Sequence, residues 1–249
     1  TYTGGSTFAG TGNTGTNSLT GGAGADTLDG GTGADTLVGL GGNDIYIVDN
    51  AGDVVTEGAS AGTDEVRTAL TAYTLASEVE YLTYTGGAVA TALTGNASAN
   101  SITGGTGADT LDGSTGNDTL VGGVGNDVYL IDVLTDAITE NVGEGTDTVR
   151  TSLTTASLAG YTNVENLTYT GGAVAASLTG NSGNNSILGG SGNDTLVGSA
   201  GNDTLDGGSG GTDLADYSSS GATGVSVNLT AGTTGGDAAG GAGREVDAD

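Results

Sequence analysis

Large apolar residues in the glycine-rich stretches of this chain mostly stand singly or in runs of a few residues, not in helical stripes. Leu28, Leu37, Leu111, Leu120, Leu196 and Leu205 each follow a threonine, as in Thr27-Leu28-Asp29 and Thr195-Leu196-Val197, and Tyr46 and Tyr129 fill the same place. One apolar side chain flanked by two that can face water is what a very short strand shows when successive residues point to opposite faces. Within a cluster these positions recur at every ninth place, as Leu28, Leu37 and Tyr46 do. The pattern predicts many short strands at a fixed interval, each burying one residue in a thin layer. Helix is disfavoured, because Gly, Thr, Ser, Asn and β-branched residues dominate throughout.

What lies between those strands is a glycine lattice ending in an acid: Gly-Gly-x-Gly-x-Asp-x-U-x, where U is the apolar position. The first array sets Gly21, Gly22 and Gly24 before Asp26, then Gly30, Gly31 and Gly33 before Asp35, then Gly39 and Gly42 before Asp44. The second sets Gly104, Gly105 and Gly107 before Asp109, Gly113 and Gly116 before Asp118, and Gly122, Gly123 and Gly125 before Asp127. The third sets Gly189, Gly190 and Gly192 before Asp194, Gly198 and Gly201 before Asp203, and, after a single-residue insertion, Gly207, Gly208 and Gly210 before Asp213. A degraded copy precedes each array, with Asn17, Asn100 or Asn185 in the aspartate's place and Leu19, Ile102 or Ile187 at the apolar one.

A longer repeat, from one degraded copy to the next, carries the arrays along the chain. Asn17-Ser18-Leu19-Thr20 recurs as Asn100-Ser101-Ile102-Thr103, and Val79-Glu80-Tyr81-Leu82 matches Val164-Glu165-Asn166-Leu167. Between arrays the glycine lattice lapses, yet Val55, Val66, Leu75, Leu82 and Leu93 keep a spacing scattered around nine. The expected organisation is one continuous solenoid over 1–249, with arrays at 12–49, 95–132 and 180–217. Degenerate solenoid segments occupy 50–94 and 133–179, and an array-closing segment occupies 218–249. A start at Thr1 and an end in mid-motif at Asp249 suggest a fragment of a longer polypeptide.

Two nonapeptides make one flattened coil, so every second turn stacks on the same edge. That spacing pairs Asp26 with Asp44, Asp109 with Asp127 and, across the insertion, Asp194 with Asp213. It also pairs Asn17 with Asp35, Asn100 with Asp118 and Asn185 with Asp203, where one donor is a neutral amide oxygen. Asp53 and Asp136 extend the rows at the same interval in turns without the first glycines, and Asp64 and Asp147 sit in Gly-Thr-Asp turns outside the lattice. Carboxylates stacked this way repel one another unless a cation lies between them.

Composition sharpens that requirement. The chain has 249 residues, 30 acids and three bases, Arg67, Arg150 and Arg244, for a formal charge of −27. Such a field argues against polyanionic partners such as nucleic acid, and it calls for cations at fixed places. Turns of carbonyls and carboxylates supply the six to eight adaptable oxygen ligands that calcium prefers, whereas magnesium demands a strict octahedron. Zinc lacks its usual ligands, since the chain holds no His and no Cys. Without Cys there are no disulfides, which in a secreted chain leaves metal as the staple. No apolar stretch approaches the length of a transmembrane helix.

The nonapeptides resemble the RTX, or haemolysin-type, calcium-binding repeats over 21–49, 104–132 and 189–217. The stretch Ala215-Asp216-Tyr217-Ser218 followed by Gly224-Val225-Ser226-Val227-Asn228-Leu229 is similar to the segment that closes many such arrays. The resemblance implies an all-β fold, a parallel β-roll with several calcium ions in its turns. It also implies secretion through a type I channel and folding outside the cell. The expected role is a structural one, in a surface layer, adhesin or matrix fibre of self-associating chains; the alternative is an accessory secretion and folding module of a larger secreted enzyme or toxin. Catalysis is not expected: acid–base work needs carboxylates in a cleft and triads need a base such as His. The repeat-equivalent Arg67 and Arg150 are expected to be architectural, pairing with Glu65 or Glu80.

Overall fold

A computed structural model of the chain describes residues 4–216 and the backbone of 226–228 and 238–240. Those residues are all-β and parallel, with a single 3-10 turn, Leu158–Gly160, as the helical element among them. They form two compact units, Thr1–Gly125 and Asn126–Asp249.

In the first unit, strands Ala9–Thr11, Thr27–Asp29, Ile45–Val48, Glu65–Thr68, Tyr81–Tyr84, Ser101–Thr106 and Thr119–Val124 pair in order into one parallel sheet. The strands between them in sequence form opposing sheets: Ser18–Thr20 with Thr36–Val38 and Val54–Thr56, and Ala72–Thr74 with Ala92–Thr94 and Thr110–Asp112. Sequence neighbours thus lie on opposite sheets and coil neighbours pair, which is the β-solenoid predicted from the repeat.

The second unit repeats the scheme. Val128–Ile131, Thr148–Thr151, Asn166–Tyr169, Ser186–Leu188, Thr204–Asp206 and Ser226–Asn228 form one sheet. Thr155–Ser157, Ser177–Thr179, Thr195–Val197, Leu214–Asp216 and Ala238–Gly240 form the other. The strand Ser226–Asn228 falls inside the expected closing segment at 218–249, most of which lies outside the described residues.

Register shows where the coil is regular and where it is not. Within the first array Thr27 lies opposite Ile45, a step of two nonapeptides. Beyond it the step lengthens from Ile45 to Glu65, shortens from Glu65 to Tyr81 and lengthens again from Tyr81 to Ser101. In the second unit the step is longer still from Thr155 to Ser177, and from Thr195 to Leu214 it takes up the insertion before Asp213. The coil therefore runs through the intervening segments of each unit by lengthening or shortening its turns while keeping the inward residue in line.

That line is the core. Leu28, Leu37, Tyr46, Val66, Leu82, Leu93, Ile102, Leu111 and Leu120 in the first unit are closed to solvent, as are Tyr129, Val149, Leu167, Leu178, Leu196 and Leu205 in the second. Each such side chain contributes about 1.5–3 kcal/mol by leaving water, and each is flanked by residues at least partly exposed, the period-two pattern of a half-buried strand. The glycines answer a steric demand: Gly208 has φ +89°, and a methyl there would overlap the carbonyl oxygen of Gly190 on the coil before. At the second place of the nonapeptide the same left-handed backbone is also carried by Leu40, Ser114 and Ser199, with φ of 78°, 64° and 71°.

Candidate metal centre

Along the edge of the coils the sixth-place carboxylates form a ladder held by the backbone. Each reaches back one coil: Asp35 Oδ1 accepts the N–H of Asn17 at 2.7 Å, Asp44 Oδ1 that of Asp26 at 2.7 Å, and Asp64 Oδ1 that of Asp44 at 2.7 Å. Glu80 Oε2 then takes the N–H of Asp64 at 2.8 Å. Other rungs of the two units repeat the bond, from Asn100 to Asp118 (2.7 Å), Asp127 to Asp147 (2.8 Å), Asn185 to Asp203 (2.9 Å) and Asp194 to Asp213 (2.9 Å). The sixth-place aspartates Asp26, Asp35, Asp44, Asp109, Asp118, Asp127, Asp194, Asp203 and Asp213 are at most 1 % exposed.

One oxygen of each of these carboxylates is thus spoken for; Asp26 has both taken, Oδ1 by the Phe8 N–H at 2.7 Å and Oδ2 by the Gly22 N–H at 2.6 Å. Oδ2 of Asp35, Asp44, Asp64, Asp194 and Asp203 is buried and receives no hydrogen bond. A buried acceptor left so costs about 1–3 kcal/mol, and a charged one more. The space beside it is built for a ligand: a methyl added to Gly189 would lie 2.6 Å from Asp194 Oδ2 and 2.7 Å from the carbonyl oxygen of Gly207, one coil on. The same pairing of a sixth-place oxygen with the carbonyl of a first-place glycine one coil later recurs above Gly21, with Asp26 and Gly39, and above Gly104, with Asp109 and Gly122. Every donor converging there is a hard oxygen, the set that suits calcium and not a softer ion.

Comparison with known families agrees with that chemistry. A family model of the RTX calcium-binding nonapeptide repeat, four copies long, matches residues 11–46, 94–129 and 179–214. The three arrays are RTX calcium-binding nonapeptide repeats. Each match takes in the degraded copy that the hydrophobic pattern placed before the array. No curated protein matches the chain.

Calcium is the ion that RTX repeats bind, and the electrostatics explain the need for it. Burial raises the pKa of Asp194 and Asp203, and a backbone N–H from Ala176 or Asn185 only partly offsets the cost. Asp44 is pushed up to about 6, chiefly by desolvation and further by the charges of Asp64 and Asp26. Among the described residues no base relieves them. The one ion pair there joins Arg67 to Glu65 at 2.7 Å, an architectural contact completed by Thr83 Oγ1 on the other carboxylate oxygen at 2.8 Å.

The second and third RTX arrays are entered through rungs closed by amides. Asn100 Oδ1 accepts the N–H of Asn96 at 2.7 Å while its Nδ2 donates to Val79 O at 3.0 Å; Asn185 does the same with Asn181 at 2.8 Å and Val164 O at 3.3 Å. Asn96 and Asn181 add two donations each to carbonyls of the preceding coil. Any oxygen that Asn100 or Asn185 offers an ion is therefore neutral and already shared with a backbone N–H, as Asn17 Oδ1 is with Asn13. Asp53, read as an extension of its row, accepts from Asp35 N–H at 2.9 Å with one oxygen and from Asp49 and Asn50 N–H at 3.2 and 3.1 Å with the other.

Two acids lay outside every motif. Glu57 and Glu140 each close a triad, Asp44–Glu57–Asp64 in the first unit and Asp127–Glu140–Asp147 in the second, with one oxygen of each within 4.8 Å of the others. The Tyr46 and Tyr129 hydroxyls donate to them. Desolvation, with neighbouring carboxylates such as Asp64 and Asp147 adding to it, pushes Glu57 up to about 8 and Glu140 up to about 7. The nonapeptide register gives no sign of them; the return of Thr56-Glu57 as Thr139-Glu140 in the long repeat is the one signal the sequence holds.

Proposed function

We propose that this chain is an extracellular structural module whose RTX repeats fold when they meet calcium after export, and that it serves in a surface layer, adhesin or matrix fibre. The observation that carries this reading is the ladder: buried carboxylates with an open Oδ2, and no base beside them among the described residues, favour the folded state only with cations in place. Sixth-place aspartates such as Asp35, Asp44, Asp194 and Asp203 bind through Oδ2, and the carbonyls of the lattice glycines complete each site. Secretion belongs to the same reading: a chain that stays unfolded inside the cell and folds outside gains its switch from the higher calcium concentration there.

The reading is non-catalytic: the constrained positions serve coil geometry or ion binding, and the acids raised furthest, Asp44, Glu57 and Glu140, lie in the ladder or in the triads beside it. Self-association is part of it, since parallel coils present outward strand faces that carry exposed Val54, Val124 and Leu188. Circular dichroism during a calcium titration at neutral pH, read beside an ion count by mass spectrometry, tests the proposal. β structure appears with ion uptake; a chain that keeps the same β signal after exhaustive chelation, with no metal retained, refutes it. Electron microscopy of the calcium-loaded chain checks assembly, and dispersed monomers at high concentration exclude it.

A further inference from the structure

The geometry points to a second class of cation site, at the last nonapeptide turn of the first and second arrays, where the triads Asp44–Glu57–Asp64 and Asp127–Glu140–Asp147 join a lattice aspartate to two acids from outside the lattice. In the first unit the three acids come from different parts of the coil: Asp44 ends a glycine turn, Asp64 ends the Gly-Thr-Asp turn one coil on, and Glu57 follows the strand Val54–Thr56. Asp44 and Asp64 are each 1 % exposed, and both carry an Oδ2 that receives no hydrogen bond. Asp44 Oδ2 faces a cradle. A methyl at Gly39 would overlap Asp44 Oδ2, Tyr46 Oη and Glu57 Oε1 together, so three oxygens close on a space that only a glycine leaves open. In the second unit Glu140 is 6 % exposed and its Oε2 likewise receives no hydrogen bond, while Oε1 takes the Tyr129 hydroxyl.

The donor set differs from that of the arrays. A nonapeptide turn gives one carboxylate and several carbonyls, whereas each triad gathers three carboxylates, and calcium affinity rises with the count of charged ligands. The first triad holds two buried acids and one half-buried, the second three buried, and among the described residues no ion pair neutralises them: the one there joins Arg67 to Glu65. Each triad therefore takes one hard divalent cation, calcium, more tightly than the array turns do and fills first as the concentration rises. The same residue types at the same spacings build it in both units: Asp44, Tyr46, Glu57 and Asp64 return in the next long repeat as Asp127, Tyr129, Glu140 and Asp147.

The inference rests on calcium being the ion of this protein, and its test separates the two. Calcium bound by the 249-residue chain is measured by competition with a chromophoric chelator and by mass spectrometry, for the parent, E57Q, E140Q, E57Q/E140Q and, as an array control, D203N. Gln keeps the shape and the acceptor for the tyrosine hydroxyl. The expected result is a tight class of one ion per triad, weakened about tenfold or more by loss of a charged ligand in the matching single variant and absent in the double, with the weaker class intact; D203N spares the tight class and diminishes the weaker one. Should the double variant not fold, tyrosine-sensitised terbium emission gives a second readout: the first equivalents excite through tyrosine in the parent and not in Y46F/Y129F. Equal tight binding in parent and double variant, or first equivalents that are not tyrosine-sensitised, overturns the triads alone if D203N still lowers the count. A parent chain that binds no calcium overturns the calcium reading itself.

Discussion

Replacing Asp203 by Asn is the sharpest test of what the ladder does. The side chain is 1 % exposed, Oδ1 accepts the Asn185 N–H at 2.9 Å, and Oδ2 receives no hydrogen bond. Asn keeps the acceptor and the volume and removes the charge. A hydrogen bond to a charged acceptor contributes about 1.5–3 kcal/mol and one to a neutral acceptor about 0.5–1.5 kcal/mol, so the Asn185 bond loses about 1 kcal/mol. Losing an anionic ligand weakens an ion by at least about tenfold, a further ~1.4 kcal/mol. At saturating calcium D203N should therefore unfold about 2–3 kcal/mol more easily, roughly 5–10 °C lower for a chain of this size. If the ion is lost altogether, stability also climbs less steeply with calcium, by about 1.4 kcal/mol for each tenfold rise in free ion. As free calcium falls the gap narrows: burial penalises the bare Asp203 carboxylate, so the variant sheds a cost that the parent keeps. Urea melts followed by circular dichroism, across a calcium series down to the lowest concentration that still folds the chain, measure both. An equal loss at every calcium concentration would refute the argument, since it would make Asp203 a hydrogen-bonding group and nothing more.

Without calcium, the raised carboxylates bind more protons in the fold than in the open chain between the ordinary carboxylate range and their own pKa values of about 6 for Asp44, about 8 for Glu57 and about 7 for Glu140. Stability of the chelated chain is thus fully present at acid pH and falls as pH rises through those values; chemical melts at several pH values check it, and stability rising over that window contradicts it. Calcium competes with the same protons, so its folding midpoint should move to lower concentration as pH rises. Leu40→Gly should stabilise by about 0.5–1 kcal/mol, because Leu40 is 51 % exposed and pays the left-handed cost of about 1–2 kcal/mol against about 0.5–1 kcal/mol for glycine's extra freedom. Thermal melts in calcium measure it, and a loss would place the side chain in contacts the fold does not display. Leu93→Ala should cost about 2–5 kcal/mol in a urea melt, since Leu93 is closed to solvent between Tyr73 and Leu111 in register. A change under about 1 kcal/mol would mean the layer had collapsed around the missing side chain.

The nonapeptide made much of this legible beforehand. An apolar residue after each Thr, as at Leu28, Leu196 and Leu205, announces a strand that buries one side chain. A doubled nonapeptide announces which acids stack, as Asp26 and Asp44 do. Val66 and Leu82 could be read as inward-facing without a glycine lattice because burial leaves its trace in residue type at every coil.

The form of the stacking could not be read. Asp44 and Asp26 meet through a carboxylate and a backbone N–H, not through two carboxylates alone, and spacing carries no information about which atoms face one another. Asn100 looks from its place in the repeat like a weaker aspartate; its amide nitrogen also closes the rung by donating to Val79 O.

Sequence by itself determined the coil, its inward layer, the rows of acids and the ion they call for, since each follows from local periodicity, residue type and charge count. Only the tertiary structure decided which turns lengthen, as from Ile45 to Glu65 and from Thr155 to Ser177, and which shorten, as from Glu65 to Tyr81. It alone also decided the convergence of Glu57 on Asp44 and Asp64. The physical reason is that a turn's length is set by keeping the buried residue in register with the coil beneath it. Glu57 lies between Asp44 and Asp64 along the chain, and its carboxylate meets both only when two coils are stacked in space.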